Sequence, residues 1–194
     1  MSWDLVADAY AAEMMPAFDH FAREALRLAA VPAGGRVVDV ACGPGTLSLV
    51  AAAAGHEVDA IDFSPKMVEH LAAKNNARVH ARVGDGQALP YADASFDAGF
   101  SLVGLIFFPD RAKGIAEMRR VLRPGARAVI SSWPESKVAP PLAAIFAAIG
   151  QVTGNTGPGE PPPLAPEAAD RKSVGVGKSV SRRGVGGVRR AQIH

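Results

Sequence analysis

The sequence predicts an α/β protein with a Rossmann-like, doubly wound parallel sheet, and three observations support this fold class. Apolar strand segments alternate with helical segments from about residue 31 to residue 132. The first strand segment, residues 36–40, is almost continuously β-branched, as expected for a strand that is buried on both faces. A turn containing Gly43 and Gly45 then leads directly into a helix. This order favours right-handed crossovers between parallel strands.

Five strands are visible in this pattern, with helices between most of them. The strands are expected at residues 36–40, 57–61, 78–83, 95–101 and 126–132. The helices are expected at residues 47–54, 65–75 and 110–122. We expect Thr46 to cap the first of these helices, and Ser64 to cap the second with Pro65 at its first position.

Composition divides the chain into three expected regions. Residues 1–30 form an N-terminal helical cap, because apolar positions recur at steps of three and four, and Pro16 is expected to split it into two helices. Residues 31–150 form the core. Residues 151–194 are rich in Gly, Pro, Ser and Arg, and are expected to be a disordered, low-complexity basic tail. Trp3 and Tyr10 of the cap belong either to the core or to a lid over a ligand site.

Charge and residue usage exclude several classes of function. From Pro166 onward there are seven basic residues (Lys or Arg) and two acidic residues (Asp or Glu), whereas the preceding residues include 14 basic and 17 acidic residues. The body is therefore mildly acidic and does not suggest a specific nucleic-acid partner. The single cysteine, Cys42, excludes an internal disulfide, and no cluster has metal-ligand spacing. Neither a membrane span nor a signal peptide is visible, so a cytoplasmic protein is expected.

Polar and glycine residues follow the strands at the edge where a doubly wound sheet binds its ligands. Asp39 precedes the glycine turn, whose backbone can approach a ligand closely and whose following helix N-terminus carries free N–H groups. Asp62 follows the second strand and is placed to accept hydrogen bonds from two ribose hydroxyls. Asp85 follows the third strand and is placed to accept from the exocyclic amine of an adenine. Ser101 ends the fourth strand.

These segments resemble one family of enzymes. The matching stretches lie at residues 37–46, 60–67, 84–90, 95–101 and 117–126. Over residues 3–133 the chain resembles the class I S-adenosylmethionine-dependent methyltransferases, and more narrowly the small-molecule group that includes the ubiquinone and menaquinone biosynthesis methyltransferases. The resemblance implies that S-adenosylmethionine is the cofactor. It also implies that ten residues bind this cofactor: Asp39, Ala41, Gly43, Gly45, Asp62, Phe63, Met67, Asp85, Gly86 and Ser101.

The resemblance assigns these residues to parts of the cofactor. Asp39 and the backbone of Ala41, Gly43 and Gly45 would hold the methionine end, and Ser101 would line the same side. Asp62 would bind the ribose. Phe63 and Met67 would pack near the adenine, and Asp85 and the Gly86 backbone would contact its edge.

The chain departs from the family pattern at three places. Alanine stands at position 41, where the family often has glycine, and we expect it to be tolerated with a negative φ. A histidine common in the segment at residues 104–110 is absent. The last two strands of the family are missing from the pattern after Ser132, so the chain looks C-terminally truncated, with an unpaired edge at the fifth strand.

The function implied is transfer of a methyl group from S-adenosylmethionine to a small-molecule acceptor by direct in-line attack. No catalytic base is identified, and the scattered histidines at positions 20, 56, 70 and 80 are expected to be structural or exposed. One alternative is a truncated, non-catalytic fragment that binds the cofactor. Another is a NAD-dependent oxidoreductase, although its fingerprint needs glycine where Ser48 stands.

Overall fold

A computed structural model describes residues 3–132, 174–177 and 188–193 of the chain. Its helices are α1 (Ala7–Ala29), α2 (Thr46–Ala53), α3 (Pro65–Ala72) and α4 (Arg111–Val121), with short 3-10 helices at Trp3–Leu5 and Leu105–Phe107. Its strands are β1 (Arg36–Val40), β2 (Glu57–Asp62), β3 (Val79–Val83), β4 (Phe96–Leu102), β5 (Leu122–Ser131), β6 (Val174–Gly177) and β7 (Val188–Ile193). Within this part of the chain, no helix is both long and apolar enough to cross a membrane.

The strands form one sheet in the order β3-β2-β1-β4-β5-β7-β6. The first five are parallel to one another, which confirms the predicted fold class. The chain order reverses between β1 and β4, so the carboxyl ends of these two strands flank the switch point. In doubly wound sheets a ligand crevice lies at this point.

The two last strands correct an expectation from the sequence. We expected them to be missing and residues 151–194 to be disordered, but β7 pairs antiparallel with β5, and β6 pairs antiparallel with β7. The edge of β5 is therefore paired. Short strands show little sequence pattern of their own, because they gain their hydrogen bonds from a partner strand. The rest of the predicted tail, and the predicted core beyond residue 132, lie outside the described residues.

Both faces of the sheet are covered by apolar side chains. Val37 belongs to a buried cluster on one face with residues of α1, α2 and α3. Its neighbour Val38 belongs to a second cluster with Met118 and Val121 of α4. Successive residues of a strand point to opposite faces, so a strand covered by helices on both sides must be apolar at almost every position. This explains the β-branched run in β1.

Two local predictions about the helices are wrong. Pro16 does not split α1, which runs without a break from Ala7 to Ala29. The proline removes one hydrogen bond, but Phe18, Ala22 and Ala25 bury the helix face that follows it. Thr46 is the first residue of α2 rather than its cap, and Gly45 occupies the N-cap position.

The start of α3 follows the prediction. Ser64 is its N-cap, and the Ser64 hydroxyl accepts a hydrogen bond from the backbone N–H of Met67 at 3.3 Å. Pro65 is the first helical residue, where its missing N–H has no cost. The helix thus begins directly beyond Asp62, the last residue of β2.

Candidate functional site

The turn after β1 combines a packing requirement with open backbone. Gly45 has a φ of 95°, and a Cβ there would lie 2.1 Å from Leu71 Cδ1, so only glycine fits. Gly43 has a φ of 54°, but a Cβ there would meet nothing within 4 Å. The turn is thus tightly packed at Gly45 against α3 and open at Gly43, where a ligand can approach the backbone.

Ala41 adopts a left-handed conformation, contrary to our expectation. Its φ is +58°, in the region that favours glycine. Val103, just beyond β4, has a φ of +62°, although it is β-branched. Left-handed backbone costs about 1–2 kcal/mol for residues with a Cβ. Two strained residues therefore follow the two strands at the switch point, and backbone strain of this kind clusters at functional sites.

Asp39 is a buried carboxyl group on β1, with 2% of its surface exposed. Its Oδ2 accepts a hydrogen bond of 2.6 Å from the hydroxyl of Ser48, a fully buried residue of α2. Burial raises the pKa of Asp39 to about 7, the Ser48 bond opposes this rise, and the nearby charge of Asp62 adds to it. The sequence analysis treated Ser48 only as a missing glycine and did not identify its bond to Asp39.

Asp62 connects the loops after β1 and β2. Its Oδ2 accepts a hydrogen bond from the backbone N–H of Gly43 at 2.8 Å, and its Oδ1 accepts one from the N–H of Ser64 at 2.9 Å. Burial raises the pKa of Asp62, while the bonds from backbone N–H groups lower it. Among the side chains of residues 3–132, no Lys, Arg or His forms an ion pair with Asp39 or Asp62.

The loop after β3 reaches the same edge of the sheet. A Cβ on buried Gly86 would lie 2.4 Å from the ring of Phe108 and 2.7 Å from Val40, so the loop packs closely against the end of β1. Asp85 is exposed, and its Oδ1 accepts a hydrogen bond from the backbone N–H of Gln87 at 2.8 Å. The structure thus places Gly86 against the end of β1 and leaves its neighbour Asp85 exposed.

Ser101 has a buried hydroxyl without a partner. It is fully buried at the carboxyl end of β4, and its Oγ makes no hydrogen bond within the described residues. That oxygen lies 3.3 Å from the position of a Cβ on Gly104, and the same Cβ would lie 2.3 Å from the Cβ of Ala41. Ser101 and Ala41 therefore approach the same point from β4 and β1. A buried hydroxyl in this state has capacity to bond a ligand.

Phe63 and Met67 differ in exposure. The ring of Phe63 is 56% exposed just beyond β2, which makes it available for stacking against a flat ligand. Met67 is 2% exposed and lies in the interior beneath the first turn of α3. In this structure only Phe63 of the two presents an apolar surface to the outside.

The N-terminal segment, residues 3–10, lies across the mouth of the site. Asp4 Oδ1 accepts a hydrogen bond of 2.6 Å from the Ser64 hydroxyl, beyond β2. The ring of Trp3 packs edge-to-face on Phe107, beyond β4, with 5.0 Å between centroids. Because β2 and β4 lie on either side of β1, a segment touching both loops crosses the carboxyl end of β1. This is the lid geometry considered for Trp3 and Tyr10.

The Tyr10 hydroxyl lies close enough to the Asp62 carboxylate to sense its charge. Burial raises the pKa of the Tyr10 hydroxyl, and the negative charge of Asp62 raises it further. Sequence reasoning did not identify Asp4 as part of the site, because its partner Ser64 is 60 residues away and no motif joins them.

The other side chains that could take part in catalysis, which are histidines and Cys42, either bond to a neighbouring side chain or are buried. His70 bonds to Asp8 at 2.8 Å, and His80 lies 3.7 Å from Glu57 at the other end of β2. His56 is buried beyond the end of α2. Burial raises the pKa of the Cys42 thiol, which disfavours the reactive thiolate. No group of three or more His, Cys, Asp or Glu within the described ranges is placed to hold a metal ion.

Comparisons with known proteins find a matching domain and similar sequences. Residues 38–130 match the family described as Methyltransferase domain. The demethylmenaquinone methyltransferase of Deinococcus radiodurans is 37% identical over 119 residues, which cover 59% of this chain and 47% of that protein. The chain spans 39% to 53% of the length of the curated relatives that it matches.

Solved structures share the fold. A SAM-dependent methyltransferase from Aquifex aeolicus superposes with a TM-score of 0.61 and 20% identity, covering 89% of each chain. The [4+2]-cyclase SpnF superposes with a TM-score of 0.56 and 28% identity, covering 59% of this chain and 44% of that one. The matched residues include the last three residues of β1, the glycine turn, Asp62 and Ser101. Residues 38–130 therefore match a methyltransferase domain, and the relatives and the shared fold support membership of the class I S-adenosylmethionine-dependent methyltransferase family.

Proposed function

We propose that this protein transfers a methyl group from S-adenosylmethionine to a small-molecule acceptor, by direct in-line attack of the acceptor on the methyl carbon. The relatives that support an acceptor of this class are named for demethylmenaquinone. A cytoplasmic location is part of the same proposal. The ten residues expected from the sequence are proposed as the cofactor site, with Phe63 rather than Met67 as the exposed apolar surface.

One observation carries the proposal. Asp39 and Asp62 are both buried at the carboxyl ends of β1 and β2, close enough for the charge of Asp62 to raise the pKa of Asp39, and no Lys, Arg or His within residues 3–132 forms an ion pair with either. Buried carboxylates are costly unless a positive charge or hydrogen bonds compensate them. S-adenosylmethionine carries an ammonium group and a sulfonium, which suits this pair. The open backbone at Gly43 and the unpartnered hydroxyl of Ser101 offer further polar contacts.

The residues of this chain need to bind the cofactor and to position the acceptor against it. When bound, S-adenosylmethionine supplies a methyl group on positively charged sulfur, which is already activated for transfer. Asp62 would hold hydroxyl groups through its remaining lone pairs, since each oxygen accepts one backbone N–H. Residues 3–10 would exclude water from the crevice. In-line transfer gains mainly from such orientation and desolvation.

A test uses calorimetry on the full chain with S-adenosylmethionine and S-adenosylhomocysteine. We expect binding of both, and we expect Asp62→Ala to weaken binding by about tenfold or more, since a charge-assisted hydrogen bond contributes about 1.5–3 kcal/mol. Asp93→Ala is the control, because Asp93 is 78% exposed and pairs with Arg120 on the surface. Labelled methyl transfer to a short-chain demethylmenaquinone then tests the acceptor class.

The outcomes separate the alternatives. A cooperative melt without binding of either ligand would remove the cofactor assignment, and a response to NAD would favour the oxidoreductase. Binding without transfer to any small acceptor would support a cofactor-binding protein that is not a methyltransferase. Absence of both binding and a cooperative melt would show that this chain does not act as an enzyme by itself.

A further inference from the structure

A continuous chain of hydrogen bonds joins the N-terminal segment to the glycine turn. The Ser64 hydroxyl donates to Asp4 Oδ1 at 2.6 Å, and the Ser64 backbone N–H donates to Asp62 Oδ1 at 2.9 Å. The other oxygen of Asp62 accepts from the backbone N–H of Gly43 at 2.8 Å. Asp4, Ser64, Asp62 and Gly43 therefore form one connected path, from residues 3–10 to the backbone turn that faces the open crevice.

Asp4 makes two contacts with the start of α3. Besides the bond from Ser64, its Oδ1 accepts the backbone N–H of Lys66 at 3.2 Å. That N–H lies in the first helical turn, where backbone donors have no partner within the helix. A carboxylate at this position is also favoured by the helix dipole. The contacts tie residues 3–10 to the same short segment, residues 62–66, that carries the proposed ribose-binding group.

The orientation of Ser64 depends on this arrangement. Its hydroxyl has one hydrogen, which it donates to Asp4, and its lone pairs accept from the N–H of Met67. Removing the acceptor at Asp4 frees this hydroxyl to rotate. The Ser64 backbone N–H that holds Asp62 lies in the same residue, so a loosened Ser64 would loosen the Asp62 carboxylate as well.

Asp4 and Asp62 also carry like charges at close range. The negative charge of Asp4 contributes to the raised pKa of Asp62. Toward Asp62 the charge of Asp4 is thus repulsive, and the hydrogen bonds from Ser64 and Lys66 are the contacts that hold the segment in place. This distinction makes the two roles of the side chain separable, because asparagine keeps the acceptor oxygen and lacks the charge.

We propose that Asp4 is a positioning residue, which holds residues 3–10 closed over the cofactor crevice and fixes Asp62 through Ser64. The inference rests on the proposed function, since it assigns cofactor to this crevice. Closure by Asp4 makes release of S-adenosylhomocysteine slow, because the segment must detach from Ser64 and Lys66 before the product can leave. Trp3, packed on Phe107, moves with the segment and reports its opening.

The test is stopped-flow fluorescence of the full chain with S-adenosylhomocysteine. Trp3 and Trp133 are the two tryptophans, so a Trp133→Phe background makes Trp3 the reporter. We expect Asp4→Ala to raise the dissociation rate about tenfold, corresponding to the loss of a hydrogen bond to a charged group. Asp4→Asn should stay within about threefold of the parent protein, since it retains the acceptor.

Asp8→Ala is the matched control. Asp8 also joins α1 to α3, through His70 at 2.8 Å, but it is 79% exposed and has no bond to Ser64. Asp8 belongs to the same segment, but an exposed ion pair contributes little, so we expect the Asp8→Ala variant to change the dissociation rate by less than about threefold. If Asp8→Ala releases ligand as fast as Asp4→Ala, the contact between α1 and α3 in general controls release, and the assignment to Asp4 is overturned.

Further outcomes are equally decisive. An unchanged rate in Asp4→Ala, or equal increases in Asp4→Ala and Asp4→Asn, would overturn the inference. If the Asp4→Ala variant melts at too low a temperature for the kinetic measurement, acrylamide quenching of Trp3 fluorescence in the ligand-free protein takes its place. This quenching is measured well below the melting temperature of each variant. More quenching in Asp4→Ala but not in Asp4→Asn supports the inference, and equal quenching refutes it. If the parent protein does not bind the ligand, the proposed function itself has failed.

Discussion

Asp62 Oδ2 accepts a hydrogen bond from the backbone N–H of Gly43 at 2.8 Å, which fixes the end of β2 to the turn after β1. The two residues are 19 positions apart in sequence, and the strands that precede them, β1 and β2, are parallel neighbours in the sheet. Through this contact the carboxylate and the open backbone face the same crevice. Burial raises the pKa of Asp39, the charge of Asp62 adds to this rise, and the raised pKa makes the stability of the protein depend on pH.

Asp39→Asn should change the pH dependence of stability. The pKa of Asp39 is raised to about 7 in the folded protein from an ordinary value of 3.8, so its favourable contribution is greatest below pH 3.8 and is lost as pH rises through 7. Asparagine keeps an acceptor for Ser48 without a titrating charge. We expect the free energy of unfolding of the variant, relative to that of the wild type, to rise by about 2 kcal/mol from pH 5.5 to pH 8. Urea unfolding at the two pH values measures this difference. Parallel stability curves would contradict the assignment.

Ala41→Gly should stabilise the protein. Glycine removes a left-handed strain of about 1–2 kcal/mol, and this gain exceeds the roughly 0.4–1 kcal/mol of extra unfolded-state entropy that glycine brings. We expect a net gain of about 0.5–1 kcal/mol in the free energy of unfolding. Ala41→Val, with a β-branched side chain at the same φ of +58°, should lose stability instead. A variant with glycine that is less stable than the parent would argue against strain at this position.

Gly45→Ala should be far more damaging than Gly55→Ala. Both glycines have similar φ values, 95° and 90°, so both alanine variants carry the same backbone strain. A Cβ at Gly45 would lie 2.1 Å from Leu71 Cδ1, whereas a Cβ at Gly55 would meet nothing within 4 Å. We expect thermal or urea melts to show an additional cost of about 1–3 kcal/mol at Gly45, because the core must move. Equal costs would mean that Leu71 adjusts freely.

Ala191→Pro should destabilise the sheet. Ala191 lies in β7 opposite Ala128 of β5 and Val176 of β6, so both sides of this residue face a neighbouring strand. Proline removes a backbone donor and is poorly tolerated inside a sheet, at a cost of about 2–3 kcal/mol. Val174→Pro is the control, because Val174 begins the edge strand β6. Aggregation of the Ala191 variant alone would show that β5 needs its cover, and equal melts would refute the pairing.

Hydrophobic periodicity and turn residues were sufficient to predict most of the fold from the sequence. The β-branched run at Val37 and Val38, and the cap at Ser64 with Pro65, depend on neighbours within a few residues, so they can be recognised locally. The strands β6 and β7 could not be recognised this way. The strand β7 is stabilised by pairing with β5, whose partner residue Ala128 is distant in sequence from Ala191, and β6 is stabilised by pairing with β7.

The same division holds for the candidate site. Asp39, Asp62 and Gly43 could be placed at one edge of the sheet, because parallel strands bring their carboxyl ends together. The positive φ of Ala41 could not be foreseen, since it depends on how the turn closes against Gly104. Nor could the bond from Ser48 to Asp39, which requires the exact packing of α2 on β1.

The amino-acid sequence by itself determined the doubly wound sheet, the glycine turn and the residue types at the ends of the strands, because these depend on local pattern and on the geometry of parallel crossovers. The tertiary structure decided which of those residues interact. It buried both Asp39 and Asp62, left the Ser101 hydroxyl without a partner among the described residues, and laid Asp4 against Ser64 across the crevice. Burial and charge coupling are properties of side chains brought together from distant positions, so they arise only when the chain has folded.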